Sequence, residues 1–324
     1  IRTEIQNGTL NVLRNQAFEA GFGCRFQLLY YQPASGLSES AMFNYKHNRI
    51  SIVRQLRYSV REENKNNSID LVIFINGFPI ITIELKNKQT GQNHMNAIQQ
   101  YMKSRRPDGE PLLAFKRCLV HFAMGTEQVY MTTKLAGDDT RFFPFNKTCQ
   151  NEGVEGHPYR TSYMWEDVLQ IDSIMQLIQS FVNVQVISTP VYDERARKFI
   201  NRESEALIFP RYHQRRAVRN LIADAKARGA GHKYLIQHSA GSGKSNTIAW
   251  LAYSLAGLYQ THNDDRPVFD TVLVVTDRRV LDRQLQNNLR QFDLHSQLVC
   301  IDARQGMNSQ DLKNAIESRK KIIV

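Results

Sequence analysis

The chain has 324 residues, with 42 lysines and arginines against 31 acidic residues, a formal net charge of +11 at pH 7. That length accommodates two domains, each able to bury a core, and that charge points to a polyanionic partner. No run approaches ~18 apolar residues and no leader peptide is visible, which argues against membrane-spanning and secreted classes. The four cysteines, Cys24, Cys118, Cys149 and Cys300, are scattered with no Cys-x-x-Cys pair, so neither zinc nor a disulfide framework is indicated and a reducing cytoplasm is expected.

In chain order, an early helix is predicted over Leu10 to Gly21, ended by its glycine. Two strand-like apolar runs follow, Ser68 to Ile75 and Pro79 to Lys86, joined by Asn76-Gly77, a strong short hairpin signal. Side chains alternate along a strand, so Glu84 and Lys86 share a face. A connection spanning three residues sets Asp70 opposite Glu84, whereas a shift of one residue turns them to opposite faces. Two carboxylates and a lysine beside Ile80-Ile81-Thr82-Ile83 are costly without a purpose. The purpose that fits is metal-dependent phosphodiester hydrolysis. Asp70 and Glu84 would hold one or two Mg²⁺ ions that polarise the phosphate, and Lys86 would orient the attacking water and stabilise developing charge.

Further strands are expected at Cys118 to Met124 and Gln128 to Thr132, then a loop rich in Gly, Asn, Asp and Pro over Thr133 to His157. Apolar residues at helical spacing over Met164 to Phe181, and a charged stretch over Tyr192 to Ala206, read as helices bridging two domains. Basic residues concentrate in Lys103 to Arg117 and Arg195 to Arg219, as solvated helix faces or as contacts to nucleic acid.

Lys233 to His238 reads as a buried strand, Ser239 to Gly243 is small and glycine-rich, and Lys244 to Ala252 has a helical pattern. That order is the setting of a phosphate loop. Main-chain N–H groups around Gly241, Ser242, Gly243 and Lys244 would converge on phosphate oxygens at the positive end of the helix dipole. Lys244 would reach the β- and γ-phosphates, and the Ser245 hydroxyl would ligate Mg²⁺. The full pattern asks for a small residue where His238 stands, a departure at the position least constrained by backbone approach. Upstream, Tyr212 and Gln214 in Ile208-Phe-Pro-Arg-Tyr-His-Gln suit stacking on adenine and pairing with its edge, and so resemble the Q motif of superfamily 2 helicases. After the hydrophobic run Asp270 to Val275, Thr276, Asp277 and Arg278 stand where the same motors touch the nucleic-acid backbone.

Taken together, Asp70 with Glu84-Leu85-Lys86 inside IDLVIFINGFPIITIELKN, and FPRYHQ followed by HSAGSGKS, resemble the restriction (R) subunit of type I restriction endonucleases over essentially the whole chain. The resemblance implies an α/β chain: a PD-(D/E)XK endonuclease domain over 1–162, a helical bridge over 163–206 and a first RecA-like domain of a helicase-type motor over 207–324. It implies ATP and Mg²⁺ as cofactors, and double-stranded DNA with separate methylation and specificity subunits as partners. Relatives of this nuclease core carry Gln-x-x-x-Tyr on the following helix; here Tyr101 is present, Ala97 replaces the glutamine, and Gln99 and Gln100 stand nearer. Glu4 and Glu19 are candidates for an additional acidic ligand. The chain stops at Ile322-Ile323-Val324 before any Asp-Glu-x-x box, so a fragment with little ATPase activity of its own is expected. Two other readings stand beside this one: another nuclease-helicase of repair or defence, and a nucleic-acid-binding ATPase whose nuclease fold is inactive.

Overall fold

The computed structural model describes residues 8–15, 27–33, 38–149, 151–153, 159–193, 197–260, 266–276, 285–286, 289–290, 298–299 and 309–324. Contacts divide the chain into two compact units, one of 1–32 with 43–213, the other of 33–42 with 214–324. Among the described residues, no helix is long and apolar enough to cross a membrane.

The first unit contains helices α1 (Thr9–Asn15) and α2 (Glu39–Lys46). Its centre is a six-stranded sheet, ordered β1 (Ile50–Arg57), β2 (Ser68–Ile75), β3 (Phe78–Leu85), β4 (Val120–Met124), β5 (Val129–Thr132) and β6 (Phe143–Pro144). β3 and β4 are parallel and the other pairs antiparallel. The β-branched, alternating composition of β2 and β3 suits a pleated sheet. Asn76 (φ 48°) and Gly77 (φ 87°) make the left-handed two-residue turn that such a hairpin needs. A register shift opposite Ile73 and Phe74 leaves Ile80 as one extra residue on β3, so the pairing Leu71↔Ile83, continued by one residue, sets Asp70 opposite Glu84. The two-residue turn and the bulge together give the register that a three-residue connection gives.

Helix α3 (His94–Lys103) joins β3 to the parallel β4. Asn93 and Asn96 close its N-terminus as a capping box. Ala97, Ile98 and Tyr101, at helical spacing, pack into a core with Ile69, Val72, Leu113, Ala123 and Leu135. The expected bridging helix breaks into a π-turn at Met164–Val168, α4 (Ile171–Gln176) and a second π-turn at Leu177–Phe181. Its apolar stripe, including Met164, Val168, Ile174 and Phe181, is buried within the first unit.

The helix expected at Tyr192 to Ala206 is instead half of a hairpin, β7 (Asn183–Asp193) with β8 (Lys198–Ile208), in unbroken register from Asn183↔Ile208 to Asp193↔Lys198. Charge density suggests a helix there, but Val184, Val186, Val191, Phe199 and Ile200 are strand formers, and the ladder over eleven pairs decides.

In the second unit, α5 (Tyr212–Arg228) and α6 (Lys244–Ala256) accompany three short parallel strands, β9 (Val272–Leu273), β10 (Leu298–Val299) and β11 (Ile322–Ile323), in the order β10-β11-β9, with α7 (Ser309–Glu317) before the last. Ala249, Ala252 and Ala256 of α6 pack with Ile322. Lys233 to His238 is not a strand: among the described residues it has no ladder partner, and Leu235 is 93% exposed. An apolar segment without a neighbour to bond has no sheet to join.

Candidate functional site

Glu84 lies near the end of β3, closing the buried run Ile80–Glu84, and is itself fully buried. It shares a face of the strand with Thr82, whose hydroxyl bonds both Tyr101 Oη of α3 (2.8 Å) and His121 Nδ1 of β4 (2.7 Å), so this face looks toward α3. Just past α3, Arg105 donates from Nε to Glu84 Oε1 (2.9 Å) and from Nη2 to the Ser68 carbonyl (2.8 Å). One guanidinium thus ties β3 to the start of β2.

Across the ladder, Asp70 is held by two donors: Gln55 Nε2 to Oδ1 and the Leu85 main-chain N–H to Oδ2, both at 2.8 Å. Gln55 adopts φ 50°, a left-handed conformation uncommon outside glycine, between the paired residues Arg54 and Leu56. Its own Oε1 accepts from Ser68 Oγ (2.8 Å). The strained residue thereby fixes the amide that orients Asp70.

The two carboxyl groups face one another. Burial is the larger cause and the Asp70 charge the next in lifting Glu84 from its ordinary 4.5 to about 8, against the pull of Arg105. Glu84 Oε2 is buried and receives no hydrogen bond from the described residues. Its neighbour is another acceptor, so what joins two such groups is a shared proton or a cation. Among the described residues there is no cluster of three or more His, Cys, Asp and Glu side chains, so the donor set is this pair. Two carboxylates leaving room for water and phosphate oxygens suit Mg²⁺, which keeps much of its hydration.

Lys86 falls one residue beyond β3, anchored by its main-chain N–H to the Met124 carbonyl (2.8 Å). Among the described residues its ammonium makes no ion pair, and it lines a cavity of about 310 Å³ beside the carboxylates, whereas Asp70 lines an open depression of about 530 Å³. Leu85 borders both. Asp70 and Glu84 are therefore brought together, and Lys86 stands next to them facing a separate recess.

The other expected nucleic-acid contacts divide. Gln99 is exposed and Gln100 half-buried on α3. Tyr101 is fully buried and its hydroxyl is engaged with Thr82, so it is a core residue and not a surface one. Thr276 is half-buried; Arg278, Glu4 and Glu19 lie outside the described residues.

At the phosphate loop, Gly241 (φ 72°) and Gly243 (φ 84°) take left-handed conformations, and Gly243 caps α6. Among the described residues, no main-chain bond uses the N–H groups of Gly243, Lys244 or Ser245, the donors a helix start offers to an anion. Lys244 Nζ folds back to the carbonyls of His238 (3.2 Å) and Ser239 (2.9 Å). Ser242 is buried, its hydroxyl without a hydrogen bond among the described residues, and Ser245 is half-buried. Gln214 is buried and donates from Nε2 to the Gly243 carbonyl (2.9 Å), so it braces the loop. Tyr212 is corrected from the adenine-stacking position: its ring is 7% exposed and packs edge-on against Phe145 and Tyr163 at 5.8 and 5.1 Å. An aromatic enclosed by aromatics is core packing.

Arg105 and Gln55 are the residues that pattern reading misses. Arg105 stands four residues after Tyr101, the spacing that keeps a helical face, and that is the signal that finds it. Gln55 has no signal in the sequence.

Two classes of protein meet in this chain. Residues 42–140 match the family described as type I restriction enzyme R protein N terminus, and residues 213–324 match SWI2/SNF2 ATPase. The chain is 27% identical over 298 residues to the type I restriction enzyme MjaVIIIP endonuclease subunit of Methanocaldococcus jannaschii, covering 88% of this chain and 24% of that protein. It is 24% identical over 286 residues to the type I restriction enzyme HindI endonuclease subunit of Haemophilus influenzae, covering 85% of this chain and 25% of that one. It spans about a quarter of the length of these relatives. The match to the R protein N terminus and the likeness to these relatives support an R, or endonuclease, subunit of a type I restriction enzyme.

Proposed function

We propose that this chain carries the Mg²⁺-dependent nuclease centre and the opening of the ATP-driven DNA translocase of a type I restriction complex. The observation that carries the nuclease reading is the buried Glu84 facing the half-buried Asp70, with Glu84 Oε2 left without a donor among the described residues. The order of three antiparallel strands, a helix and a parallel fourth strand supports a PD-(D/E)XK core in the first unit, and the loop between α5 and α6 supports a first RecA-like domain in the second.

Asp70 and Glu84 would hold Mg²⁺, which supplies Lewis-acid polarisation of the scissile phosphate when bound. Gln55 and the Leu85 N–H keep Asp70 aimed at that position, and Arg105 occupies Glu84 Oε1 so that Oε2 is the oxygen left to bind. Lys86, with its ammonium unpaired among the described residues, offers its charge to the phosphate and orients water. In the second unit, the N–H groups of Gly243, Lys244 and Ser245, with Gly241 and Ser242, would cradle the phosphates of ATP, and the Ser245 hydroxyl would ligate its Mg²⁺. Gln214 supports the loop through Gly243. Partners would be double-stranded DNA and the modification and specificity subunits.

A second reading, an inactive nuclease fold that serves as a scaffold, is favoured by Lys86 lining the recess beside the carboxylates. The deciding experiment follows DNA cleavage and ATP hydrolysis together in the assembled complex. Lys86→Ala should abolish cutting and leave DNA-stimulated hydrolysis intact; Lys244→Ala should abolish both. Unchanged cutting by Lys86→Ala would establish the scaffold.

A further inference from the structure

The recess beside the carboxylates has a wall that catalysis does not explain. Tyr159 and Trp165 line it and are 36% and 42% exposed, with ring centroids 6.2 Å apart in edge-on contact. Beyond the exposed Arg160, the residues between them are the reverse: Thr161, Ser162, Tyr163 and Met164 are at most 1% exposed. Thr161 Oγ1 bonds the Gly125 carbonyl (3.0 Å), and Tyr163 Oη bonds the Phe145 carbonyl (2.7 Å). The segment is thus pinned from below while its two rings stand in the opening. Trp165 also lies within the π-turn Met164–Val168, an irregularity found often at functional sites. At about 310 Å³ the recess is at the small end of organic-ligand cavities, and Lys86, two residues after Glu84, is part of its lining.

We propose that this recess is a base-binding subsite, in which one unpaired nucleobase of the DNA strand stacks on the Trp165 ring, braced edge-on by Tyr159, while its phosphate lies toward Lys86. Rigid aromatic faces next to a cation form the recognition set for single-stranded nucleic acid, tolerant of sequence because every base has a π-face. The inference rests on the nuclease reading for its role, since it places an unstacked nucleotide beside the reacting phosphate.

The chain has two tryptophans, Trp165 and the fully buried Trp250, so intrinsic fluorescence reports on the platform against a protected background. The full chain is titrated with a single-stranded oligonucleotide in EDTA, and with the same oligonucleotide carrying abasic sugars throughout. Quenching by the first and not by the second is expected, with the quench absent in Trp165→Phe. Tyr159→Ala should weaken the binding by about tenfold or more, and Tyr159→Phe should retain it. Equal quenching by the abasic strand, or no quenching, overturns the proposal; this comparison needs no variant and stands even where Tyr159→Ala fails to fold. Cleavage by Glu84→Gln in the assembled complex is followed separately. Wild-type cutting there defeats the nuclease reading and leaves the base subsite to be judged on the quench alone.

Discussion

At Glu84, burial and the Asp70 charge act on stability as well as on chemistry. The unfolded side chain releases its proton near 4.5 and the folded one near 8, so between those values the folded chain retains a proton that the unfolded chain has lost. The stabilisation is fully present below about 4.5 and disappears as pH rises toward about 8. The melting temperature of the metal-free chain should therefore fall from pH 5 to pH 8 relative to Glu84→Gln, which has no such proton to lose. Added Mg²⁺ at pH 8 should raise the wild-type midpoint and leave that of the variant in place. A constant gap between the two proteins across this range would show that the pair does not titrate as described. At Gly243, an alanine meets two obstacles: a backbone at φ 84°, costing about 1–2 kcal/mol, and the Gln214 amide nitrogen 2.5 Å from the new Cβ. Gly243→Ala should lose at least tenfold in affinity for a fluorescent ATP analogue, and wild-type binding would show that the loop is not the nucleotide site.

The elements differ in how far the sequence discloses them. The β2–β3 hairpin was legible because its turn, Asn76-Gly77, and its β-branched runs agree, and because alternation fixes which residues share the face of Glu84. Asp70 and Glu84 were legible for the same reason. The bulge opposite Ile73 and Phe74, which sets their register, was not, since it depends on how two strands twist together. Arg105 was hidden in a basic run that reads as a solvated surface, yet it is 8% exposed and bonded to a buried carboxylate. Tyr212 and Tyr101 show the opposite error: motif position suggested ligands, while packing partners distant in sequence made them core. The β7–β8 hairpin is held at one end by Leu207 and Phe209 in the core and by the Lys116–Glu205 ion pair, and its far end carries the cross-strand pair Tyr192 and Phe199 with centroids 5.3 Å apart. Phe199→Ser should destabilise that far end by about 0.5–1.5 kcal/mol. Amide exchange should quicken in β7 and β8 with the six-stranded sheet unchanged; uniform acceleration would mean that the hairpin is part of one cooperative unit with the sheet.

For the molecule as a whole, the charge of +11 and the proposed role in translocation lead to one expectation about DNA. A motor that grips any sequence relies on phosphate contacts, so binding to unrelated duplexes should be equal and should fall steeply, with a linear dependence on the logarithm of salt concentration. Filter binding or anisotropy between 50 and 200 mM salt tests this as an order-of-magnitude range. Tight, salt-insensitive binding to one short sequence would instead indicate base readout by this chain.

The folded-back Lys244 bears on which nucleotide the loop prefers. Its ammonium already has two carbonyl partners, His238 and Ser239, so an incoming ligand competes with the protein's own backbone for that charge. Charged hydrogen bonds are worth about 1.5–3 kcal/mol each, and a ligand recovers this only by offering more negative charge in their place. A terminal phosphate does so and a bare diphosphate does so less well. In the proposed nucleotide role, the loop would therefore discriminate by internal rivalry, releasing its lysine to the nucleotide that carries the larger charge.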